Sequence, residues 1–536
     1  MARRNSRTFL LGLIVIIWLF GGVLILTSTK AYAADAGNKS DLYSNLQLFN
    51  EVLIKLKQNY VTDLDDTELI QSAINGMLNS ADPHTSYFTA DEFTDFTTST
   101  KGEFGGLGIQ IDKKGDYITV VSPIEGTPAY RMGLSPGDRI VKVDGVSIVA
   151  SSTDDAIKKM RGPVGTKVVL TISRPGAAEL MDFEITREII KIKSVPYSFK
   201  LDNGVGYIRI SQFSESTEKE LKAALDTLEV QKIKGLIIDL RFNPGGLLDQ
   251  AIDTVNEFIG PNKLVVETKG RLQSSNRQYF TRNNREPKPY PIVVLVNEAS
   301  ASASEIFAGS LQDWDTGLIV GKTTFGKGSV QQLFPLSNGN GIKITTSHYY
   351  IKSGRCIHKE INDKLLRGKE VTLAEKAEME KQALETKYTT VKGRTVYGGG
   401  GITPDIEFAP DFLTLFGVEL RRKNAFFNFA VDYMVKHNHQ VNKDYAVSNE
   451  TMEQFLDFAK KQDIKFTPAD VDSTASYIKT SLASEIIGKQ YGEQEAYKIT
   501  LKLDAQFQQA VELFNKFKTL DQMFAYAEQK GKKGAK

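Results

Sequence analysis

The sequence has very few residues of the kinds that hold metals or form covalent cross-links. Cys356 is the only cysteine among 536 residues, which excludes an intrachain disulfide and argues against a thiolate-ligated metal. The five histidines form no HExxH-type pair, so a metal hydrolase is not expected, and no cofactor is expected either. No charge excess suggests a nucleic-acid partner, since the formal net charge is only +2. A composition of 41% hydrophobic and 25% charged residues indicates an ordinary globular protein with several domains.

The first 33 residues are predicted to be an export signal or a membrane anchor. Three arginines precede an uncharged run from Phe9 to Leu26, and Ala31-Tyr32-Ala33 has the small-x-small form of a cleavage site. The run is 18 residues long, almost enough to span a bilayer, so the sequence leaves open whether residues 9–26 are removed or stay as an anchor. In both cases we expect the rest of the chain outside the cytoplasm, without a dependable supply of nucleotides.

The pattern of apolar residues changes along the chain and predicts several domains. Residues 34–101 read as a small helical domain for packing or self-association, with a capping box at Thr89-Ala90-Asp91-Glu92. From 102 to 190, short alternating strands follow, such as Arg139–Val143, with one helix at Thr153–Met160. The turns around Ser122-Pro123, Gly137-Asp138 and Asp144-Gly145 in this segment resemble those of a PDZ domain of the bacterial protease type.

Residues 191–410 alternate strands and helices, which predicts a multidomain protein with an α/β core. Residues 261–290 interrupt this pattern with a polar, arginine-rich stretch that we interpret as a cap over the site. Residues 355–395 form a charged insertion with a predicted helix at Leu373–Lys387. Residues 411–536 read as a C-terminal helical region without an assigned function, and their apolar stripes favour packing or homo-oligomer contacts.

Ser302 lies between a predicted strand and a helix that begins near Ala303. Ser302-x-x-Glu305 fits a capping box, and alone it would be interpreted as a helix cap worth roughly 1 kcal/mol. As a nucleophile, Ser302 would need a base to take its proton, and the helix N-terminus would stabilise developing negative charge.

Lys327 follows Ser302 by 25 residues, between two glycines. A solvated loop charge is the plain alternative, and Gly321-x4-Gly326-Lys327 misses the phosphate-loop pattern because Gly328 replaces Ser or Thr. As a base, the lysine would need a pKa lowered from ~10.4 to near 7–8 by desolvation. Phe325 and Val330 are expected to give apolar cover, and the carboxamide oxygen of Gln331 can orient the amine.

Two backbone loops are predicted to bind negative charge. Gly245 or Gly246 would join Ala303 in an oxyanion hole, although a plain strand-to-helix turn is the alternative. In the PDZ-like segment, Leu107, Gly108 and Ile109 would offer N–H groups to the terminal carboxylate of a peptide added at a sheet edge. The partners are therefore expected to be proteins or peptides with free apolar C-termini.

Five motifs together resemble the carboxyl-terminal processing (tail-specific) proteases, a Ser–Lys family with a crotonase-like (ClpP/crotonase) core. They are Asp82-Pro83-His84-Thr85-Ser86-Tyr87, Asp239-Leu240-Arg241-x-Asn243-Pro244-Gly245-Gly246, Ser300-Ala301-Ser302-Ala303-Ser304-Glu305, Thr324-Phe325-Gly326-Lys327-Gly328 and Gly401-Ile402-Thr403-Pro404-Asp405. The resemblance covers about residues 41–410.

The resemblance implies a serine endopeptidase of the bacterial envelope (periplasm). It implies Ser302 as nucleophile, rather than Ser300 or Ser304, with Lys327 as base and Gln331 as its orienter. Glu305 and Asp313 match polar positions near the site and would have supporting roles. The PDZ domain would recognise substrate tails and gate the site.

Two other functions are alternatives to this interpretation. A non-catalytic PDZ adaptor would not need Ser302, Lys327 and Gln331. A Ser–His–Asp hydrolase would use His348 or His358 as its base.

Overall fold

The computed structural model describes residues 42–124, 126–282, 285–359, 372, 374–375, 378, 381–382, 386–408, 413–438 and 440–534. The predicted leader at 1–33 lies outside these residues, and so does most of the predicted helix at Leu373–Lys387. No helix in the described ranges is long and apolar enough to cross a membrane. Contacts divide the chain into a unit that ends at Ser80 and a larger unit that begins at Ala81.

The first unit contains helix α1 (42–59) and most of helix α2 (Asp66–Ala81). The helical character predicted for this stretch is confirmed by both helices. In α1, the large apolar side chains are mostly exposed, including Leu46 at 57% and Phe49 at 47%.

Residues 82–101 do not join a separate helical domain, which corrects the boundary predicted at 101. Strand β1 (Ser86–Phe88) pairs antiparallel with the long strand β18 (Gly341–Ile351), with Tyr87 opposite Ile342. Helix α3 (Ala90–Lys101) follows, and the Thr89 N–H donates to the Glu92 carboxylate as its capping box predicts. The extended Ser-Tyr-Phe sequence adds a strand to a sheet edge, which helical periodicity alone does not reveal.

Residues 103–191 form one compact part with its own apolar core. Its elements are β2 (Glu103–Gly106), β3 (Ile109–Lys114), β4 (Tyr117–Pro123), α4 (Pro128–Arg131), β5 (Arg139–Val143), β6 (Val146–Ser147), α5 (Thr153–Met160), β7 (Lys167–Ser173), β8 (Met181–Thr186) and β9 (Glu188–Lys191). The sheet order is β3-β4-β5-β7-β8, with β6 on β5, and β2 pairs separately with β9. Strand β3 therefore lies at a sheet edge.

The α/β core is built on a six-stranded sheet of order β10-β11-β12-β15-β16-β21. Its strands are β10 (Tyr197–Lys200), β11 (Val205–Arg209), β12 (Gly235–Asp239), β15 (Ile292–Val296), β16 (Leu318–Gly321) and β21 (Ile406–Glu407), and its helices are α6 (Thr217–Val230), α7 (Leu248–Val255) and α8 (Ala303–Asp313). All but β10 run parallel. Every residue of β12 and β15 is buried, as expected for parallel strands covered on both faces. The alternation of strands and helices predicted for residues 191–410 is confirmed by these elements.

Strands β19 (Lys387–Thr389) and β20 (Thr395–Tyr397) form a separate antiparallel pair. A second, larger sheet has the order β1-β18-β13-β14, with β17 (Ser329–Pro335) also paired to β18. Strands β13 (Leu264–Lys269) and β14 (Arg277–Phe280) come from the stretch interpreted as a cap. That stretch is instead part of the sheet, because Val266 and Thr268 pair with Ile351 and Tyr349.

The C-terminal region has two separate roles in the fold. Its helices are α9 (Leu415–Arg422), α10 (Ala425–Lys436), α11 (Asn449–Lys461), α12 (Pro468–Tyr491), α13 (Glu493–Thr500), α14 (Ala505–Lys516) and α15 (Leu520–Gly534). Helices α9 to α12 share a core of their own. Phe507 and Phe524 pack instead with Ile237 and Val293 of the six-stranded sheet. The last two helices thus complete the α/β core rather than forming an appendage.

Candidate active site

Ser302 lies in the turn that leads from β15 to helix α8. It is the residue before the first turn of the helix and has φ +56° and ψ −115°, a conformation that side-chain-bearing residues rarely adopt. Such strain persists only where surrounding bonds enforce it. The Glu305 carboxylate accepts from the Ser302 N–H at 2.8 Å, and the Glu305 N–H donates to the Ser302 carbonyl at 2.9 Å.

The three serines of the motif are clearly distinguished by their bonds. Ser300 and Ser304 are fully buried, and their hydroxyls donate to the carbonyls of Leu240 at 2.8 Å and Asn243 at 3.0 Å. Ser302 is partly exposed and lines a cavity. Two of the serines therefore fix the turn, and the third presents its side chain to solvent.

The glycine turn after β12 packs directly against Ser302. A Cβ atom on Gly245 would lie 2.7 Å from the Ser302 Cβ and 2.8 Å from the Ala303 nitrogen, so only glycine fits. Asn243 holds the two turns together, because its carbonyl accepts from the Ala301 N–H at 3.0 Å and its side chain donates to Ile210.

The structure separates the two glycines that the sequence left as alternatives. The Gly245 N–H donates to the Asn243 side chain at 2.9 Å and is occupied. Within the described chain, the N–H groups of Gly246 and Ala303 donate to no protein acceptor. Both residues line the cavity beside Ser302. These two N–H groups are available to an anionic oxygen there.

Lys327 lines the same cavity as Ser302. Burial lowers the pKa of the Lys327 amine, and the charge of Lys343 lowers it further, while Glu305 and Asp82 act in the opposite direction. The direction of this shift is the one that a lysine base requires.

Gln331 also lines the cavity, but its amide nitrogen is used elsewhere. It donates to the Ser329 hydroxyl at 3.0 Å and to the Thr345 hydroxyl at 3.2 Å. Among the described residues, no hydrogen bond joins Ser302, Lys327 and Gln331 to one another through their side chains. The three groups share one cavity without forming a closed chain of bonds, a common geometry before substrate binds.

Glu305 links the turn of Ser302 to the loop of Lys327. Its carboxylate accepts from the backbone N–H groups of Ser302 at 2.8 Å, Gly326 at 2.7 Å and Lys327 at 2.9 Å, and from the Thr324 hydroxyl. Its side chain is fully buried, and burial raises the pKa of Glu305 to about 7 against these hydrogen bonds. The predicted supporting role therefore has a definite form, because one carboxylate fixes the two loops relative to each other.

Tyr349 is a second link between the same loops, and sequence reasoning missed it. Its hydroxyl contacts the carbonyl of Ser302 at 3.1 Å and the carbonyl of Lys327. Burial raises the pKa of Tyr349 well above its ordinary value, so the phenol stays protonated and can donate. No motif signals this residue, which comes from the distant strand β18.

Asp313 does not reach the site. It ends helix α8, about 16 Å along the helix axis from Ser302. There it forms a fully buried ion pair with Arg355 at 2.9 Å and accepts from the Ser353 N–H. Its role is to anchor the start of the charged insertion, and the prediction that it lies near the nucleophile is wrong.

The cavity has a volume of about 520 Å³ and one largely apolar wall. That wall is formed by Phe96, Phe213, Leu247, Leu248, Ile306 and Leu333. Val330 contributes cover as predicted, whereas Phe325 and the stretch interpreted as a cap do not line the cavity. Helix α3 supplies the cover instead, through Phe96 and Thr100.

In the predicted carboxylate loop of the 103–191 part, two backbone carbonyls are bonded within the same part. The carbonyls of Leu107 and Gly108 accept from the N–H groups of Ala129 and Ile124, at 3.0 Å and 2.9 Å. In the part of the chain that the structure describes, the N–H groups of Leu107 and Gly108 donate to no protein acceptor. Ile109 begins the edge strand β3, to which a peptide can add.

No cluster of three or more His, Cys, Asp or Glu side chains that could hold a metal occurs within the described residues. The carboxylates of Glu305 and Asp313 already accept from protein donors.

Comparison with known families gives three matches along the chain. Residues 204–365 match peptidase family S41, residues 119–174 match the PDZ domain, and residues 417–492 match a family of unknown function. The first two matches fall on the α/β core and on the part with the edge strand β3.

Individual relatives are similar over most of their length. A carboxy-terminal-processing protease of Bartonella bacilliformis is 42% identical over 348 residues, which cover 64% of this chain and 80% of that protein. The carboxy-terminal processing protease CtpA of Bacillus subtilis is 34% identical, covering 67% of this chain and 76% of that one. The solved photosystem II D1 C-terminal processing protease is 26% identical, covers 67% of this chain and 88% of that chain, and superposes with a TM-score of 0.37.

Proposed function

Because the chain belongs to peptidase family S41 and is a carboxy-terminal processing serine protease with a PDZ domain, we propose that it cleaves proteins with apolar C-terminal tails through a Ser302–Lys327 acyl-enzyme mechanism. The family membership confirms the resemblance seen in the motifs. The observation that carries the proposal is the single cavity that Ser302 and Lys327 share with the Gly246 and Ala303 backbone.

In the proposed reaction, the neutral Lys327 amine takes the proton of the Ser302 hydroxyl as the oxygen attacks the scissile carbonyl. The ammonium then protonates the leaving amine, and the acyl-enzyme forms. The amine next removes a proton from the water that attacks the ester, and the resulting ammonium returns this proton to the serine oxygen as it leaves, which restores the hydroxyl and the neutral amine. Burial and the neighbouring Lys343 support this cycle, since both lower the pKa of Lys327.

The oxyanion of the tetrahedral intermediate would be bound by the N–H groups of Gly246 and Ala303. Each such donor typically lowers the barrier by roughly 2.7–4 kcal/mol. Gly245 would serve as the close-packed spacer that brings its neighbour to the nucleophile, because its own N–H is bonded to Asn243. The N-terminus of helix α8 adds a favourable dipole at the same place.

The PDZ domain would bind the substrate tail by strand addition to β3, with the terminal carboxylate at Leu107, Gly108 and Ile109. An apolar last side chain would enter the adjacent pocket. Binding there raises the local concentration of the upstream chain at the protease cavity.

Further parts of the proposal concern location and architecture. The chain would act in the bacterial envelope, with residues 1–33 as its export signal or residues 9–26 as an anchor. The six-stranded sheet with helices on both faces supports a crotonase-like core. The exposed apolar side chains of helix α1 support self-association.

The alternative with a histidine base has less support. His348 and His358 lie close to each other, with ring centroids 4.7 Å apart, but neither lines the cavity with Ser302.

The decisive experiment measures labelling of Ser302 by a fluorophosphonate and cleavage of an unfolded protein with an apolar tail. Ser302→Ala and Lys327→Met should each lower both rates by at least ~10³-fold. Lys322→Met is a matched control, since this exposed lysine lies five residues earlier and pairs with Glu298. Wild-type labelling should rise with pH through a pKa below the ordinary 10.5, because only the neutral amine acts as base.

Turnover at the wild-type rate by Ser302→Ala or Lys327→Met would overturn the dyad. Loss of labelling in His348→Ala, with Lys327→Met still labelled, would favour the histidine base.

A further inference from the structure

Gln331 is held by its nitrogen, which leaves its oxygen available. The side chain lies opposite Thr345 on the β17–β18 ladder, where a bulge interrupts the pairing after Val330. Both hydrogens of an amide nitrogen are accounted for by the bonds to the hydroxyls of Ser329 and Thr345. The carbonyl oxygen is then the group that Gln331 can offer to the cavity.

The direction of these bonds is fixed by Asp82. The Thr345 hydroxyl donates its only hydrogen to the Asp82 carboxylate at 3.1 Å. A carboxylate accepts but cannot donate, so the Thr345 oxygen can only accept from Gln331. Burial tends to raise the pKa of Asp82, but hydrogen bonds from Thr85, His84 and Thr345 hold it below the ordinary value. The carboxylate is therefore ionised at neutral pH.

The turn that carries Asp82 is firmly attached to the same strand. The Asp82 carboxylate accepts from the N–H groups of His84 at 2.7 Å and Thr85 at 2.9 Å, and from the Thr85 hydroxyl at 2.7 Å. The Thr345 N–H donates to the Thr85 hydroxyl oxygen at 3.2 Å. Strand β1 then continues the contact, with Ser86 opposite Lys343.

We propose that Asp82 and Thr345 are positioning residues that orient Gln331 for the proposed reaction, so that its oxygen and not its nitrogen faces the Lys327 amine. This inference rests on the proposed role of Lys327. An amine that donates an N–H to the Gln331 oxygen keeps its lone pair for the Ser302 proton. A reversed carboxamide would donate to that lone pair and block it.

Asp82 also acts on Lys327 through its charge, which gives the two residues different signatures. The charged groups that act on the amine are Lys343 from β18, Glu305 from α8 and Asp82 from the turn before β1. Removal of the Asp82 charge favours the neutral amine and moves the acid limb of the rate profile to lower pH. Removal of the Thr345 hydroxyl breaks the chain of hydrogen bonds from Asp82 through Thr345 to Gln331, here called the relay, but leaves the Asp82 charge in place.

The test measures the rate constant of fluorophosphonate labelling at Ser302 from about pH 6 to about pH 10 in the full-length protein. Thr345→Val should lower the plateau about 10-fold without moving the limb, because one orienting hydrogen bond is lost. Asp82→Asn should lower the plateau similarly and shift the limb to lower pH. Thr346→Val is the matched control, since the neighbouring Thr346 hydroxyl is buried without a hydrogen-bond partner in the described structure.

The relay is refuted if Thr345→Val labels within twofold of Thr346→Val across the range, or if Asp82→Asn leaves the limb where it is in the wild type. Thr345→Val keeps the proposal testable even if Asp82→Asn does not fold. Lys327→Met separates the two levels of inference. If that variant labels like the wild type, the proposed function fails together with the relay, whereas a refuted relay with Lys327 still required leaves the proposed function intact.

Discussion

Two glycine loops of this molecule present backbone N–H groups in closely related ways. In one, Gly245 packs against Ser302 and Gly246 lines the same cavity, with the Gly246 N–H donating to no protein acceptor within the described residues. In the other, the carbonyls of Leu107 and Gly108 accept from the N–H groups of Ala129 and Ile124, while the N–H groups of Leu107 and Gly108 donate to no protein acceptor within the described residues. Backbone N–H groups in both loops could donate to a negatively charged oxygen. The two proposed oxygens, a tail carboxylate and a reaction oxyanion, carry their charge at different stages.

The difference between the loops lies in the state of the substrate that each would bind. A tail carboxylate is charged before any reaction, so the PDZ loop would lower KM. An oxyanion exists only during the reaction, so the loop beside Ser302 would raise kcat. Under this proposal, one backbone loop would serve recognition and the other catalysis, and matched glycine substitutions can tell the two apart.

Gly245→Ala should have the largest effect. The new Cβ would lie within 2.6–2.8 Å of Ala301, Ser302 and Ala303 atoms, and Gly245 has φ +97°. The Ser302 turn must move, which removes the alignment of the oxyanion donors. We expect kcat for a peptide substrate to fall by roughly 10²–10³-fold with little change in KM.

Gly354→Ala controls for backbone strain in that measurement. It has φ +86° and no atom within 4 Å of the new Cβ, so it carries the conformational cost without the contact. Equal losses of kcat in the two variants would show that strain alone explains the effect.

Glu305→Gln should have an intermediate effect, because it loosens the catalytic loop from the loop of Lys327. In the wild type, the Gly326 and Lys327 N–H groups donate to different oxygens of the Glu305 carboxylate. The glutamine amide has only one oxygen, so at least one of these two N–H groups would face its NH₂ group instead. We expect kcat to fall by about 10–100-fold. Glu298→Gln, an exposed acid on the same turn, should leave kcat unchanged.

The same variant should change how stability depends on pH. The pKa of Glu305 is about 7 in the folded protein, compared with the ordinary value of 4.5 expected for the unfolded chain. Between these two pH values, the folded state keeps a proton on Glu305 that the unfolded chain has lost. The wild-type free energy of unfolding should therefore fall by roughly 3 kcal/mol as pH rises through this window. Glu305→Gln should lack this decline in denaturant titrations, and a decline of equal size would contradict the assignment.

The sequence was sufficient where chemistry depends on neighbours in the chain. Ser302, the helix that begins at Ala303 and the strand Ile292–Val296 were all predictable from local pattern. The choice of Ser302 over Ser300 and Ser304 came from the family resemblance. The physical reason appears only in the structure, where the other two hydroxyls bond Leu240 and Asn243.

Long-range pairing explains what the sequence could not provide. Tyr349 and Thr345 reach the site because β18 pairs with β17, and Asp82 does so because β1 adds to the same strand. The prediction of a cap at residues 261–290 was wrong for the same reason. The backbone of an arginine-rich stretch can pair in a sheet while its charged side chains stay exposed. Likewise, the separation of Asp313 from Ser302 follows from helix length, which the motif does not convey.

Gly108→Ala should have the smallest effect on the reaction and a selective one on binding. The new Cβ would lie 2.2–2.5 Å from the Thr127 side chain, and Gly108 has φ +76°, so the carboxylate loop must shift. We expect KM for a substrate with a free apolar C-terminus to rise about 10-fold, with kcat and Ser302 labelling unchanged. Gly115→Ala is the matched control in the same domain, with φ +62° and no atom within 4 Å of the added carbon.

A C-terminally amidated copy of the substrate tests the same loop from the side of the ligand. This copy should show the higher KM already with the wild-type enzyme, and Gly108→Ala should raise that KM little further. If the amidated and free tails are cleaved with equal KM by the wild type, the loop does not read the carboxylate, and the comparison between the two glycine loops reduces to the one beside Ser302.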